Sequence, residues 1–202
     1  MFAESVSFAY RTAVRVVNAA RLVMESYSRR MRRIVITGPE SSGKTTLALG
    51  LARRSGGAYV PEVAREYLEK LGRPYTEQDL LAIAQAQIQK ENEIVHEAGG
   101  NGLLICDTDL ITIRIWSEEK YGHCDPWIIE QTERRPYDLW LLCTPDMPWE
   151  PDPLRENPHD RDRLFDVYER MLCALGKRYG VMSGDRDTRI HQSANAISDL
   201  TI

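Results

Sequence analysis

Short apolar runs in this chain alternate with stretches in which apolar positions recur every three or four residues. Ile34-Val35-Ile36, Leu103-Leu104-Ile105-Cys106 and Leu139-Trp140-Leu141-Leu142-Cys143 are continuous apolar runs. That is the pattern of strands covered on both faces. A first strand is predicted over residues 33–37. Ala58-Tyr59-Val60 is a shorter candidate, closed by Pro61, which a strand end tolerates. Val181-Met182-Ser183 is a fifth. Helical spacing predicts helices over residues 46–54, 62–71, 76–96, 110–121, 161–178 and 187–200. Gly72-Arg73-Pro74 stops the second of these. Thr76 caps the third, and Glu77 and Asp79 suit its positive end. Strands separated by helices predict an α/β domain: a parallel, doubly wound sheet of five strands with helices on both faces.

Residues 1–30 differ from the rest. Val6, Tyr10, Ala13, Val17, Ala20 and Met24 recur at helical spacing, with Arg11, Arg15 and Arg21 between them. One amphipathic helix is expected. The Arg- and Ser-rich composition faintly resembles a transit peptide. A non-catalytic extension ahead of a domain over residues 31–202 is the preferred expectation.

Composition narrows the setting. The 202 residues suit one domain with an ample core. A net charge of −4 gives no reason to expect a nucleic-acid or membrane surface. No apolar stretch reaches membrane-spanning length. Four cysteines, Cys106, Cys124, Cys143 and Cys173, form no C-x-x-C pair. Buried, reduced thiols in a cytoplasmic protein are expected.

The chemistry is concentrated after the first strand. Gly38-Pro39-Glu40-Ser41-Ser42-Gly43-Lys44-Thr45 matches G-x-x-x-x-G-K-[ST] at every fixed position. A strand delivers this loop and a helix begins where it ends. Free amides and the positive dipole end of a helix lie there, ready for phosphate. Gly38, Glu40, Ser41, Ser42, Gly43, Lys44, Thr45 and Thr46 are therefore the predicted ATP site. Lys44 supplies charge at the β/γ-phosphates, and the Thr45 hydroxyl is a ligand for Mg²⁺.

Asp107-Thr108-Asp109 ends the third strand, at the carboxyl edge where ligands of open α/β sheets bind. Asp107 is the natural Mg²⁺ partner. Asp109 either shares its face two residues on or caps the next helix. The neighbour of Asp107 is Thr108, not the water-orienting Glu frequent in mechanical ATPases, and no N-K-x-D string occurs. Both absences favour phosphoryl transfer to a hydroxyl acceptor. Glu62 follows the second strand on the same edge and is a candidate base, with Arg65 beside it one helical turn on. Ser183-Gly184 follows the fifth strand, where a glycine permits close approach to an adenine ring or simply makes a turn.

Residues 145–163 hold five prolines and form a stiff loop after the fourth strand. Loops this long inside compact domains are usually functional. Arg155, Arg161 and Arg163 are candidates to close over the transferring phosphate. Pairing of Arg155 with Asp152 or Glu156 as scaffolding is the alternative.

Together, I-V-I-T-G-P-E-S-S-G-K-T-T, P-E-V-A-R-E-Y, C-D-T-D-L, R-P-Y-D-L-W-L-L-C and P-W-E-P-D-P-L-R resemble the kinase domain of NadR-type ribosylnicotinamide kinases. The resemblance covers about residues 31–200. It implies sheet order 2-3-1-4-5 and ATP- and Mg²⁺-dependent phosphorylation of nicotinamide riboside to nicotinamide mononucleotide. It places Glu62 and Arg65 in the acceptor region, Asp107 and Asp109 at the metal and ribose side, and Arg155 and Arg161 in the lid. Either Glu62 or Asp109 serves as base, and the other binds ribose hydroxyls. Thirty residues ahead of Met31 hold neither the adenylyltransferase nor the DNA-binding domain of many members, so neither activity is expected. Pro61 stands where some relatives carry a bulky aromatic. Trp116, Tyr121 and Trp127 are the substitutes on offer for gripping the nicotinamide ring, with a core or rim aromatic the preferred role for each. Other readings are a kinase for another nucleoside or small alcohol, and a nucleotide-dependent switch without turnover.

Overall fold

The computed structural model describes residues 30–155 and 159–201. The amphipathic helix expected within residues 1–30 therefore lies outside the described residues, Arg30 excepted. The domain is built on β1 (Arg32–Thr37), β2 (Ala58–Val60), β3 (Leu103–Asp107), β4 (Leu139–Cys143) and β5 (Tyr179–Met182). All pairings are parallel, in the order β2-β3-β1-β4-β5. This is the predicted order, with β1 in the centre.

Burial explains the apolar runs. Ile34, Val35 and Ile36 of β1 and Leu141, Leu142 and Cys143 of β4 have no exposed surface. Alternate residues feed two cores. Ile34, Ile36, Ile105 and Leu141 pack against helix α1 (Lys44–Ser55) and helix α7 (Arg186–Ser198), through Leu47, Leu51 and Ile190. Val35, Leu104, Cys106 and Leu142 face the other way. They meet Ile111 and Ile115 of helix α4 (Leu110–Tyr121) and Tyr168 and Leu172 of helix α6 (Arg161–Ala174). A third cluster joins helices α2 (Val63–Leu71), α3 (Glu77–Glu97), α4 and α5 (Pro126–Arg134) around Ala64, Ile83, Ile113 and Ile128. All four cysteines are free; three are buried and Cys173 is exposed.

Helix ends follow their capping residues. Thr76 and Asp79 form a reciprocal capping box at the start of α3. Helix α5 is absent from the sequence reading. Its signal is Asp125-Pro126: Asp125 accepts the Trp127 amide at 2.8 Å, and proline sits at the first helical turn. Helix α6 stops at Ala174, four residues short of the expected end, because Gly176 turns at φ 61°. That releases Tyr179 and Gly180 into β5, which starts two residues earlier than predicted. At the amino edge of the sheet the entering chain is held by Met31 N–H to Gly100 O at 3.0 Å and Arg32 N–H to Gly102 O at 2.9 Å. Asp138 also accepts the Arg33 amide at 2.8 Å there and pairs with Arg30.

Candidate active site

The loop from Gly38 to Gly43 leaves β1 and turns directly into α1. Gly38 has φ 133°, and a Cβ there would sit 2.7 Å from the Cys143 carbonyl oxygen, so no side chain fits. Gly43 occupies the N-cap of α1 in the left-handed region, with no capping side chain and no acid in the first turn. The helix thus presents uncapped amides and an uncompensated dipole, a receptor for anionic oxygens. Lys44 folds back to donate to the Pro39 carbonyl at 2.8 Å, and Ser42 Oγ donates to the same carbonyl at 2.7 Å.

A cavity of about 250 Å³ lies over this turn. Gly38, Glu40, Ser41, Ser42, Gly43, Lys44, Thr45 and Thr46 line it, together with Glu62, Arg65, Trp116 and Arg155. A second cavity of about 250 Å³ shares Glu40, Leu68, Trp116, Leu154 and Tyr168 with the first. It extends to Tyr75, where Lys120 Nζ stands 3.4 Å from the ring centroid.

The two acids at the end of β3 part company. Asp107 pairs in register with Ile36, one residue before the end of β1, and is buried. Its Oδ2 accepts the Tyr59 hydroxyl at 3.2 Å, while Oδ1 has no hydrogen-bond partner among the described residues. Burial raises its pKa, opposed by the Thr45 hydroxyl and the Lys44 charge. An unpartnered buried carboxylate oxygen beside Thr45 and Lys44 fits a divalent cation. No group of three Asp, Glu, His or Cys side chains among the described residues is placed to hold a metal ion. Mg²⁺ would therefore be held by Thr45 and Asp107 and completed by phosphate oxygens and water, its usual coordination.

Asp109 is not brought to this cleft. Thr108 adopts φ 72° and ends the strand alternation, so the side chain two residues after Asp107 turns inward. Asp109 caps α4, accepting the Ile111 amide at 3.2 Å and the Trp140 indole N–H at 2.8 Å. Burial pushes its pKa up to about 7, against those two bonds. The unfolded chain ionises this group near 3.9, so the folded state holds the extra proton between about pH 4 and 7. Stability should fall as pH rises through that window, by at most about 1.4 kcal/mol per unit from this group. Urea titrations at pH 4.5 and 7.5 check it: Asp109→Asn should lack the part of the slope that Asp109 contributes. Equal slopes in the two proteins would reject the assignment.

Glu62 precedes α2 at the cleft wall. Burial raises its pKa and so does Asp107, while Lys44 and Arg65 lower it. No hydrogen bond engages its carboxylate among the described residues. Arg65 reaches across to the proline-rich loop, donating to Asp152 at 2.8 Å. Asp152 therefore pairs with Arg65 rather than with Arg155.

The proline-rich loop is docked on the phosphate loop through Ser41, itself at φ 52°. Ser41 Oγ accepts the Glu150 amide at 3.1 Å and Arg155 at 3.3 Å, and its carbonyl accepts Arg161 at 3.1 Å. Arg155 also donates to the Glu150 carbonyl, and Arg161 to that of Met147 at 2.9 Å. Both guanidiniums stand within 6 Å of the Trp149 ring centroid, at 5.9 and 5.8 Å. Arg163 lies apart, paired with Glu119 and Asp160.

The remaining predicted residues are spread more widely. Trp116 lines both cavities. Tyr121 lines neither, and donates to the Tyr75 carbonyl at 3.1 Å; Trp127 packs in the third core cluster. Ser183 and Gly184 lie outside both cavities. Their amides are taken by Gln192 at 3.0 Å and Asp146 at 2.7 Å. Three residues passed over in the sequence belong to this region: Tyr59 on Asp107, Tyr168 between the cavities, and Arg189 beneath the phosphate loop. Tyr59 and Tyr168 sit in apolar patterns that read as core, and Arg189 carries no motif.

A model of the family described as AAA domain matches residues 33–189. The chain belongs to that family. No curated protein matches this AAA domain protein significantly. Among solved structures it is similar to the NadR protein in complex with NR, at 23% identity and TM-score 0.70, covering 85% of this chain and 52% of that one. This AAA domain protein thus spans about half the length of that NadR chain. It is also similar to thymidylate kinase from Candida albicans, at 16% identity and TM-score 0.62, covering 87% of this chain and 95% of that one. Deoxyadenosine kinase from M. mycoides with bound dATP follows at 15% and 0.55, covering 83% and 99%. The fold is that of P-loop kinases. No helix among the described residues is long and apolar enough to cross a membrane.

Proposed function

We propose that residues 31–202 form an ATP-dependent kinase that transfers the γ-phosphoryl to the 5′-hydroxyl of a nucleoside, with nicotinamide riboside the leading acceptor. The observation that carries this reading is the placing of Glu62. An unbonded, partly desolvated carboxylate shares one cleft with Lys44 and the uncapped start of α1. Lys44 would leave the Pro39 carbonyl to meet the β/γ-phosphates. Mg²⁺, when bound at Thr45 and Asp107, would neutralise phosphate charge. Glu62 would take the proton of the attacking hydroxyl, and its raised pKa makes it the stronger base for that step. Arg155 and Arg161, already gathered at Ser41, would face the phosphoryl group in flight.

The second cavity is the natural place for the acceptor's base. Trp116 and Tyr75 offer aromatic surface there. The match to NadR in complex with NR supports nicotinamide riboside as the first acceptor to try. Asp109, spent on α4 and Trp140, leaves the role of base to Glu62.

A panel of nucleosides with ATP and Mg²⁺, scored by product mass, tests the proposal. Nicotinamide riboside should give the mononucleotide fastest. Glu62→Gln should lower kcat by about 10²-fold or more. Preference for another nucleoside keeps the kinase and replaces the acceptor. No product from any nucleoside, with ATP still bound, would favour a nucleotide-dependent switch.

A further inference from the structure

Arg189 is buried, with 2% of its surface exposed, and has no part in the scheme above. Its three side-chain nitrogens reach three separate loops. Nη1 donates to the Ser42 carbonyl at 2.6 Å, in the phosphate loop. Nη2 donates to the Thr144 carbonyl at 3.1 Å, just after β4, and pairs with Asp146. Nε donates to the Gly184 carbonyl at 2.8 Å, just after β5. One guanidinium therefore ties together the carboxyl ends of three neighbouring strands, β1, β4 and β5. Asp146 closes the arrangement by accepting the Gly184 amide at 2.7 Å.

The bond to Ser42 has a geometric consequence. A trans peptide is planar, and its C=O and N–H point in opposite directions. Holding the Ser42 carbonyl on Arg189 aims the Gly43 N–H away from Arg189. Gly43 is the N-cap of α1 and lines the cleft, so this amide is one of the donors a phosphate would meet. A glycine at φ 78° has no side chain to restrain that peptide.

We propose that Arg189 is a positioning residue for the phosphate loop. It fixes the Ser42–Gly43 peptide so that the Gly43 amide faces the bound triphosphate, and it splints the loop to those after β4 and β5. The proposal rests on the nucleotide reading of the cleft. It acts on the polyphosphate, not on the base or the acceptor. Lysine cannot replace the planar fork, because a single ammonium does not reach three loops in one plane.

Binding of Mg²⁺–ATP and of inorganic tripolyphosphate, measured by calorimetry on the full chain, tests it. Thermal melting follows each variant alongside. Arg189→Lys should weaken both ligands by a similar factor, about tenfold, as expected for a misdirected donor to a charged group. Asp146→Asn keeps an acceptor for the Gly184 amide but removes the charge that holds Arg189. It should weaken both ligands severalfold without a large change in melting temperature. If Arg189→Lys fails to fold, Asp146→Asn decides alone. Wild-type affinity in the folded variants would overturn the positioning role and leave the nucleotide site standing. Loss of ATP affinity with tripolyphosphate binding unchanged would also overturn it. Absence of binding by the wild type would overturn both readings.

Discussion

Lys44→Ala should reduce ATP-dependent turnover on the order of 10³-fold or more while leaving the melting temperature almost unchanged. The two halves of that expectation have separate causes. Lys44 is the cationic side chain of the phosphate loop, and an ammonium held at the phosphates offsets the negative charge of the transferring group. The fold does not depend on it. Its one bond within the loop goes to the Pro39 carbonyl, which also accepts Ser42 Oγ, so truncation leaves no orphaned acceptor. Steady-state kinetics beside a thermal melt read both quantities. Turnover within tenfold of wild type would remove Lys44 from the mechanism.

The largest loss of stability is expected at Glu91, remote from the cleft. This carboxylate on α3 has no exposed surface. Arg135 donates to it at 2.7 Å and the Tyr137 hydroxyl at 2.7 Å. Tyr137 in turn meets Trp140 edge-on, with centroids 5.4 Å apart. Glu91→Ala strands a nearly buried guanidinium, and breaking a buried pair in this way costs about 3–5 kcal/mol. Removing both charges with apolar residues of similar volume, as in Glu91→Leu with Arg135→Met, should recover much of the loss. Urea unfolding of the single and double variants measures the difference. A single-variant loss below about 1 kcal/mol would contradict the pairing.

What could be read from the sequence was what depends on local pattern. Continuous apolar runs gave the buried strands, because a parallel sheet hides both faces. The phosphate loop was legible because its backbone needs glycine at fixed places, and Gly38 and Gly43 take up those conformations. The start of α3 was legible from Thr76 as a cap and the acids of the first turn, while the reciprocal bond between Asp79 and the Thr76 backbone is seen only in the structure. Asp109 was harder to read. Its direction is decided by the left-handed turn at Thr108, a residue type that rarely adopts one, so spacing alone left Asp109 open between the face of Asp107 and the helix cap it takes. Arg189 could not be read at all, since it is held by three backbone carbonyls 147, 45 and 5 residues away in sequence and by a carboxylate, Asp146, 43 residues away. Carbonyl partners carry no side-chain signature. The proline-rich loop was recognised by composition, but its attachment to Ser41 depends on contacts between distant segments.

The parallel sheet also gives the domain two unlike ends. Every loop that reaches the cleft leaves a strand at its carboxyl end, whereas the polypeptide enters β1 at the opposite end, pinned by Gly100, Gly102 and Asp138. The six residues of β1 separate the two by roughly 20 Å. A purification tag, a surface tether or a fused domain joined ahead of Arg30 therefore departs from the far side of the molecule. Its attachment point does not obstruct traffic at the nucleotide cleft. The point where the described chain enters the sheet and the loops that line the cleft therefore lie at opposite ends of the strands.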